Sequence, residues 1–167
     1  MGADLVAYSG GKAFGGPSFG LLCGKAAHIE ACRAQFWGIA RSMKVTKEGI
    51  MGLLTALEIH ARRDVEAEGR RRQRISEQIA AGLHGLPHVR VSIEQDEAGR
   101  NIPRVHLRLD EAALGFTAFD LIRHLRSGEP AIITRDHQAN LGILMMDPRP
   151  LTEDQVAVIV ARVRQCF

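Results

Sequence analysis

The chain has 167 residues with a formal net charge of +3, and 46% of its residues are hydrophobic and 25% charged. This length allows a substantial core, and the composition is that of a soluble globular protein. No apolar run of about 18 residues is present, so no membrane-spanning helix is predicted. The amino-terminal residues lack a basic segment followed by a long apolar stretch, so no signal peptide is predicted either.

The three cysteines are scattered along the chain and form no C-x-x-C pair. Neither a disulfide framework nor a zinc site is therefore predicted, and we expect no metal. A reduced, cytoplasmic setting is the simplest expectation for such a chain. The residues concerned are Cys23, Cys32 and Cys166.

The first 45 residues are predicted to contain two short strands and a helix. Residues 3–9, ADLVAYS, form a short apolar run that ends at a Gly-Gly pair, which indicates a buried strand. Residues 18–24, SFGLLCG, predict a second strand by the same pattern. Residues 25–36 then repeat apolar side chains at helical spacing.

A long helical pattern follows over residues 46–85. Thr46 fits an N-cap, and Glu48 lies in the first turn, where it complements the helix dipole. Unbroken, such a helix would be about 57 Å long, whereas a compact chain of this length is only about 40 Å across. We therefore expect either a break at Gly69 or a helix that packs on protein beyond these residues.

Residues 86–167 are predicted to form a small α+β unit. Residues 89–93 and 102–109 alternate as paired strands do, with a polar turn between them. Residues 130–135 and 140–147 predict two further strands. Each pair of strands is followed by a helix that opens with a capping box, namely Thr117 with Asp120 and Thr152 with Gln155.

The stretch AYSGGKAFGGPSFG, residues 7–20, places Lys12 among five glycines. This lysine could be a phosphate clamp, a covalent catalyst or a surface charge. A P-loop needs Ser or Thr after the lysine, but Ala13 stands there. The loop follows an apolar strand, and its glycines let the backbone approach a ligand closely. A lysine used for Schiff-base chemistry needs such a partly desolvated site, so the context favours the covalent catalyst.

Three segments, in this order, resemble the selenocysteine synthase-like group of fold-type-I enzymes that use pyridoxal 5'-phosphate (PLP). They are GADLVAYSGGKAFGGPSFGLLCGK at residues 2–25, GIARSMKVTKEGIMGLLTALE at 38–58, and GEPAIITRDHQANLGILMMDPRPLT at 128–152. Among the members of this group, the chain most resembles those of the D-glucosaminate-6-phosphate ammonia-lyase type. The resemblance implies an α/β and α+β architecture of the aspartate aminotransferase kind, and PLP as the cofactor.

The position of Lys12 within the chain implies a further expectation. In this family the cofactor lysine lies past the middle of the chain, so the resemblance implies that these residues are the C-terminal portion of such an enzyme, without its N-terminal half. Residues 1–45 would be the end of the large PLP-binding domain, residues 46–85 a long connecting helix, and residues 86–167 the small C-terminal domain.

The resemblance also implies roles for individual residues. Lys12 would carry PLP as a Schiff base and would be the catalytic base. Arg135 is the candidate for the substrate carboxylate, because a guanidinium fork matches that group. Structural alternatives stay open for the substrate-binding candidates: an ion pair for Arg135, surface charges for Arg41 and Lys44, and an ordinary hydrogen bond for His137. The cofactor-binding residues would be Lys12, Ser9, Gly15 and Gly16, and the substrate-binding residues would be Arg41, Lys44, Arg135 and His137.

The function implied is that of a PLP-dependent lyase of the ammonia-lyase type acting on an amino acid or amino sugar acid, in a homo-oligomer. A first alternative is selenium transfer to seryl-tRNA. The basic run RRRQR at residues 70–74 fits the solvated face of a helix, and nucleic-acid binding would need a broader basic face with aromatic residues, so tRNA is not the expected partner. A second alternative is an inactive, truncated assembly module.

Overall fold

The computed structural model describes residues 2–167, which form two compact units, the first ending at Arg63 and the second comprising Asp64–Phe167. Each unit has its own set of strands and helices. Within residues 2–167, no helix is both long enough and apolar enough to cross a membrane.

The first unit is a two-stranded antiparallel sheet followed by helices. Strand β1 pairs with β2 in a register that places Ser9 opposite Gly20. Two short 3-10 helices connect the first α-helix to the second. The elements are β1 (Leu5–Ser9), β2 (Gly20–Gly24), α1 (Ala26–Ala34), the 3-10 helices Gln35–Trp37 and Ile39–Met43, and α2 (Lys47–Ala61).

Strands β1 and β2 are more exposed than the sequence suggested. Each strand has one half-buried residue, Val6 or Leu21, and its other residues are exposed. The expectation that residues 3–9 form a buried strand is therefore wrong for this chain. The physical reason is that the sheet has only two strands among the residues described, so most of its surface stays in solvent.

The single connecting helix expected over residues 46–85 is also wrong, because two helices cover this range. Helix α2 ends at Ala61, and α3 (Val65–Leu83) begins after Asp64. The Asp64 carboxylate accepts a hydrogen bond of 2.8 Å from the Ala67 N–H, and an N-cap aspartate starts a new helix rather than continuing the old one. Gly69, where we expected a break, lies buried inside α3.

The second unit packs helices on a three-stranded antiparallel sheet of order β3-β4-β5. The core lies between this sheet and helices α3, α5 and α6, and Ile75, Leu107, Leu125 and Val163 are among its fully buried side chains. The elements that follow α3 are β3 (Val89–Glu94), β4 (Arg104–Leu109), α4 (Glu111–Leu114), α5 (Ala118–Ser127), a 3-10 helix Ala139–Leu141, β5 (Ile143–Met146) and α6 (Gln155–Arg164).

The strand expected at residues 130–135 is not formed. Only Arg135 bridges to β5, where its N–H donates to the Met145 carbonyl at 2.9 Å. The segment begins with Pro130, which has no N–H to donate to a strand partner, and the Ile132 N–H donates instead to Leu125 at the end of α5. The unit therefore has three strands instead of the four expected.

The two predicted capping boxes differ in outcome. Thr117 and Asp120 form a complete box at the start of α5, which confirms the first prediction. At α6, the Thr152 N–H donates to Gln155 Oε1 at 3.0 Å, but the N-cap residue is Asp154, which makes no side-chain cap. Only half of the second box is therefore formed.

Candidate functional site

The loop that carries Lys12 is held by its own backbone. The Gly10 N–H donates to the Phe19 carbonyl at 2.7 Å, and the Gly16 N–H donates to the Gly10 carbonyl at 2.9 Å. Within the turn, the Gly15 N–H donates to the Lys12 carbonyl at 3.0 Å. These bonds close the loop directly after β1, so Lys12 lies on a fixed turn at the end of a strand.

Two glycines are required by this loop geometry. A Cβ on Gly10 would stand 2.7 Å from the Phe19 carbonyl oxygen, which is closer than real Cβ atoms approach. Gly15 has a φ of +68°, in the left-handed region that glycine adopts without strain. A Cβ on Gly16 would lie 3.2 Å from the Ala56 side chain, so the loop lies close against α2.

The loop and α2 enclose an open cleft of about 440 Å³, a volume within the range of small-molecule sites. Lys12 and Gly15 line it from the loop, His60 lines it from α2, and Arg63 lines it from the segment that follows this helix. The Arg63 Nη1 donates to the Ala13 carbonyl at 3.3 Å and lies 3.2 Å from His60 Nδ1. Amine, imidazole and guanidinium groups therefore share one cleft.

His60 and Arg63 were missed at the level of sequence. His60 lies in the last turn of α2, and Arg63 lies two residues beyond Ala61, the last residue of that helix. The ring of His60 meets that of Phe14 edge to face, with centroids 4.9 Å apart. Only the contact between the loop and α2 identifies them, because neither residue belongs to the glycine-rich motif.

The lysines differ in their ion pairs. Lys25 pairs with Asp4, and the Lys47 amine lies 3.9 Å from the Glu48 carboxylate. Among the lysines, all of which the structure describes, Lys12 and Lys44 are outside these ion pairs. The exposed amine of Lys12, with the Arg63 guanidinium and the His60 imidazole in its cleft, fits an anionic aldehyde cofactor such as PLP.

The other residues predicted for the first unit do not all join this cleft. Ser9 is exposed at the end of β1, next to the loop in sequence. Arg41 lies on the 3-10 helix Ile39–Met43 and Lys44 directly follows it, and both are exposed. Of the residues predicted in this unit, the described cleft is lined by Lys12 and Gly15.

Arg135, in the second unit, belongs to a network of arginines around Asp147. Oδ2 of Asp147 lies 3.7 Å from Arg135 Nη1, 3.3 Å from Arg104 Nε and 2.7 Å from Arg149 Nη2. Burial alone would raise the pKa of Asp147, but the hydrogen bonds from Arg149 and Arg104 outweigh it and lower the pKa to about 2. Asp147 is therefore ionised at neutral pH.

Asp96 extends this network. Its Oδ1 lies 2.6 Å from Arg104 Nη2 and 2.9 Å from Arg100 Nη2, and its Oδ2 accepts a 2.7 Å bond from Arg100 Nε. The hydrogen bond from Arg100 is the main reason that the pKa of Asp96 lies well below its usual value. Asp96 and Arg104 are almost fully buried, 5% and 4% exposed, so they form the fixed centre of the cluster.

His137 is exposed and stands beside this network in sequence. Its Nε2 lies 3.6 Å from Glu97 Oε1, which also accepts a 3.3 Å hydrogen bond from the Gln138 amide. Among residues 2–167, no group of three or more His, Cys, Asp or Glu side chains is placed to hold a metal ion.

A family model described as L-seryl-tRNA selenium transferase matches residues 1–151. The chain belongs to this family. The L-seryl-tRNA selenium transferase family is the selenocysteine synthase-like group that the sequence resembles, so this prediction is confirmed.

Two curated relatives are more than 40% identical, over the aligned residues, to this member of the L-seryl-tRNA selenium transferase family. The D-glucosaminate-6-phosphate ammonia lyase of Salmonella typhimurium (strain 14028s / SGSC 2262) is 44% identical over 98% of this chain and 43% of its own length. The 5'-C-glycyluridine monooxygenase-decarboxylase of a Streptomyces species is 41% identical over 98% of this chain and 41% of its own. The chain thus spans less than half the length of these relatives.

Solved structures support the fold of this family member. A D-glucosaminate-6-phosphate ammonia-lyase structure superposes with a TM-score of 0.79 at 40% identity, covering 98% of this chain and 43% of that one. The cysteine desulfurase CsdA from Escherichia coli superposes with a TM-score of 0.58 at 21% identity, covering 98% of this chain and 46% of its own. At this identity the likeness shows the fold alone. The mixed α/β class predicted from the sequence is confirmed.

Proposed function

We propose that the chain is part of a PLP-dependent lyase in which Lys12 holds the cofactor. The observation that carries the proposal is the rigid glycine loop, which presents an exposed lysine amine in a cleft with His60 and Arg63. In this proposal Ser9, Gly15 and Gly16 border the cofactor, and the residues at the substrate are Arg41, Lys44, Arg135 and His137. The relatives that are 44% and 41% identical over the aligned residues are named as enzymes, which supports it.

The proposed chemistry divides between the cofactor and the protein. PLP, when bound, supplies the electron sink that stabilises a carbanion at the substrate Cα. Lys12, once free, takes the Cα proton with its amine as a general base. Arg135, whose side chain is 39% exposed, binds the substrate carboxylate through its guanidinium fork.

The proposed substrate is an amino acid or amino sugar acid with a hydroxyl on Cβ. Loss of the Cα proton and the β-hydroxyl removes water, and hydrolytic release of ammonia then leaves a keto acid. The relative that is 44% identical over the aligned residues is named a D-glucosaminate-6-phosphate ammonia lyase, which supports this class.

We also propose that these residues are the C-terminal portion of the enzyme, with the domains divided near residues 45 and 85. Large apolar side chains of the first unit are strongly exposed: Trp37 is 94%, Ile39 81% and Met43 70% exposed. Such a surface is typical of one that packs against further protein. The further protein would be the N-terminal part and a second copy in a homo-oligomer.

Borohydride trapping tests the role of Lys12. The chain is incubated with PLP, reduced and digested, and the pyridoxyl label is located by mass spectrometry. We expect the label on Lys12 to exceed that on Lys44 severalfold, because Lys44 is also exposed but lies outside the cleft. The label on Lys25 and Lys47 should be lower still, because their amines are in ion pairs.

Matched variants control the labelling experiment. Lys12→Ala should remove most of the total label, and Lys44→Ala should leave the label on Lys12 unchanged. Equal labelling of all four lysines in the folded chain would contradict a cofactor site in the loop. If the folded chain takes up no label, and a chain extended to the length of the relatives takes up none either, the result would favour the inactive assembly module.

Selenium transfer to seryl-tRNA is the second candidate, because the family model carries that name. The arginines of RRRQR are engaged within their own unit, which argues against a basic RNA surface. Arg72 pairs with Glu68 at 2.8 Å and Arg74 with Glu153 at 3.3 Å. Salt-dependent binding of seryl-tRNA would favour this candidate over the ammonia-lyase.

A further inference from the structure

Three guanidinium groups converge on one carboxylate oxygen in the second unit. Oδ2 of Asp147 lies within 4 Å of Arg104, Arg135 and Arg149, at the distances given above. Arg149 is bound most closely, since its Nε donates to Oδ1 at 2.9 Å and its backbone N–H donates to the same oxygen at 3.1 Å. One carboxylate cannot neutralise three guanidinium groups.

The second carboxylate does not remove the excess of positive charge. Four arginines, Arg100, Arg104, Arg135 and Arg149, share Asp96 and Asp147. Arginine keeps its charge at neutral pH, and both aspartates have lowered pKa values. The nearby Glu97 is directed to His137 and Gln138. The network therefore holds two more positive than negative charges.

Arg100 and Arg149 form the exposed side of this network. Their side chains are 59% and 42% exposed, while Asp96 and Arg104 beneath them are buried. The two guanidinium groups belong to one chain of ion pairs, because Arg104 binds both Asp96, the partner of Arg100, and Asp147, the partner of Arg149. Each binds its aspartate through Nε and Nη2, which leaves Nη1 outside these bonds and available to a ligand.

We propose that Arg100 and Arg149 form a subsite for a phosphate monoester dianion, next to Arg135 on the shared Asp147. Two guanidinium groups that each have a spare Nη1 donor, with a net excess of two charges, match a doubly charged tetrahedral group, whereas a carboxylate is satisfied by one guanidinium. That the physiological ligand is the phosphate of an amino sugar acid rests on the proposed function. The subsite itself rests on the arginine network alone.

The subsite is tested by titrating the isotopically labelled 167-residue chain with inorganic phosphate and following the arginine Nε–Hε resonances by NMR. We expect saturable shifts of the Arg100 and Arg149 signals, with acetate binding at least tenfold more weakly. Arg149→Gln and Arg100→Gln should each weaken phosphate binding at least tenfold. Because both side chains are partly exposed, at least one variant should remain folded, as judged by its amide spectrum.

Arg90→Gln is the matched control, since Arg90 is an exposed arginine of β3. Its replacement lowers the net charge by one, as the Arg100→Gln and Arg149→Gln substitutions do. It should leave phosphate binding at Arg100 and Arg149 within about twofold. Equal weakening by Arg90→Gln, unsaturable shifts, or equal affinity for acetate would overturn the proposal. The titration contains no PLP, so it can fail while Lys12 is still labelled, and the labelling can fail while phosphate still binds here.

Discussion

At the scale of single residues, the Lys12 loop depends on glycines that have no room for a side chain. Gly10 is buried, and its position against the Phe19 carbonyl is fixed by a hydrogen bond of 2.7 Å from its own N–H. The side chain of Leu53, on α2, lies 3.1 Å from where a Cβ would stand. The glycine-rich motif is therefore a requirement of backbone geometry as well as a sequence signature.

Gly10→Ala should disturb the loop that holds Lys12. The new methyl group would meet backbone atoms, which cannot rotate away, so we expect a loss of about 1–3 kcal/mol in the stability of the first unit. Selective borohydride labelling of Lys12 should fall with it. Thermal unfolding and the labelling assay measure the two effects.

Gly2→Ala is the control for the Gly10 variant, because no atom lies within 4 Å of the Cβ that it would add. It should change neither the unfolding temperature nor the labelling pattern. A Gly10→Ala chain with the stability and labelling of the unsubstituted chain would mean that the loop does not hold the geometry described.

At the scale of elements, side-chain caps decide where helices begin. Asp64 starts α3 inside a stretch whose apolar spacing predicts one continuous helix. The apolar pattern could not reveal the break, because α2 and α3 each keep helical spacing on either side of it. Thr117 was predictable because both partners of its capping box are close together in sequence.

Thr117→Ala should destabilise the second unit by about 1 kcal/mol, since the Thr117 hydroxyl accepts the Asp120 N–H at 3.2 Å. Thr152→Ala should have a much smaller effect, because at that position the backbone N–H makes the hydrogen bond to Gln155 and alanine retains it. Chemical denaturation of both variants measures the difference. Equal losses would show that α6 is capped by the Thr152 hydroxyl after all.

At the scale of the whole molecule, the two units differ in how much they bury. The second unit has a continuous core, in which β5 is buried along its full length. In the first unit, Gly10, Leu53 and Ala56 are the residues classed as buried among those described, and the two strands are mostly exposed. Local stability should follow this difference, because few buried contacts allow local opening at low free energy.

Hydrogen exchange should therefore be faster in the first unit of the chain. We expect hydrogen-bonded amides of β4, the central strand of the second unit, to be protected at least about 100-fold more than those of β1. Mass spectrometry of peptides from the two strands measures this ratio. Peptides of the edge strand β3 serve as an internal control, and we expect intermediate protection there. Equal protection of β1 and β4 would contradict the difference in burial.

Sequence alone determined the family, the mixed α/β class and the lysine loop. These features are recorded in residue order: the glycines around Lys12 are neighbours in sequence, and the three matching segments follow one another along the chain. The role of Lys12 as the cofactor lysine stays a prediction. So do the roles of Ser9, Gly15, Gly16, Arg41, Lys44, Arg135 and His137.

Only the tertiary structure decided which distant residues share a site. His60 and Arg63 join Lys12 because the loop lies against α2. Arg104 meets Asp147 because the antiparallel register of β4 and β5 pairs Val105 with Met146. The residue before Val105 and the residue after Met146 therefore lie side by side. Such contacts depend on strand register and on how helices and loops pack, and neither is recorded in the local order of residues.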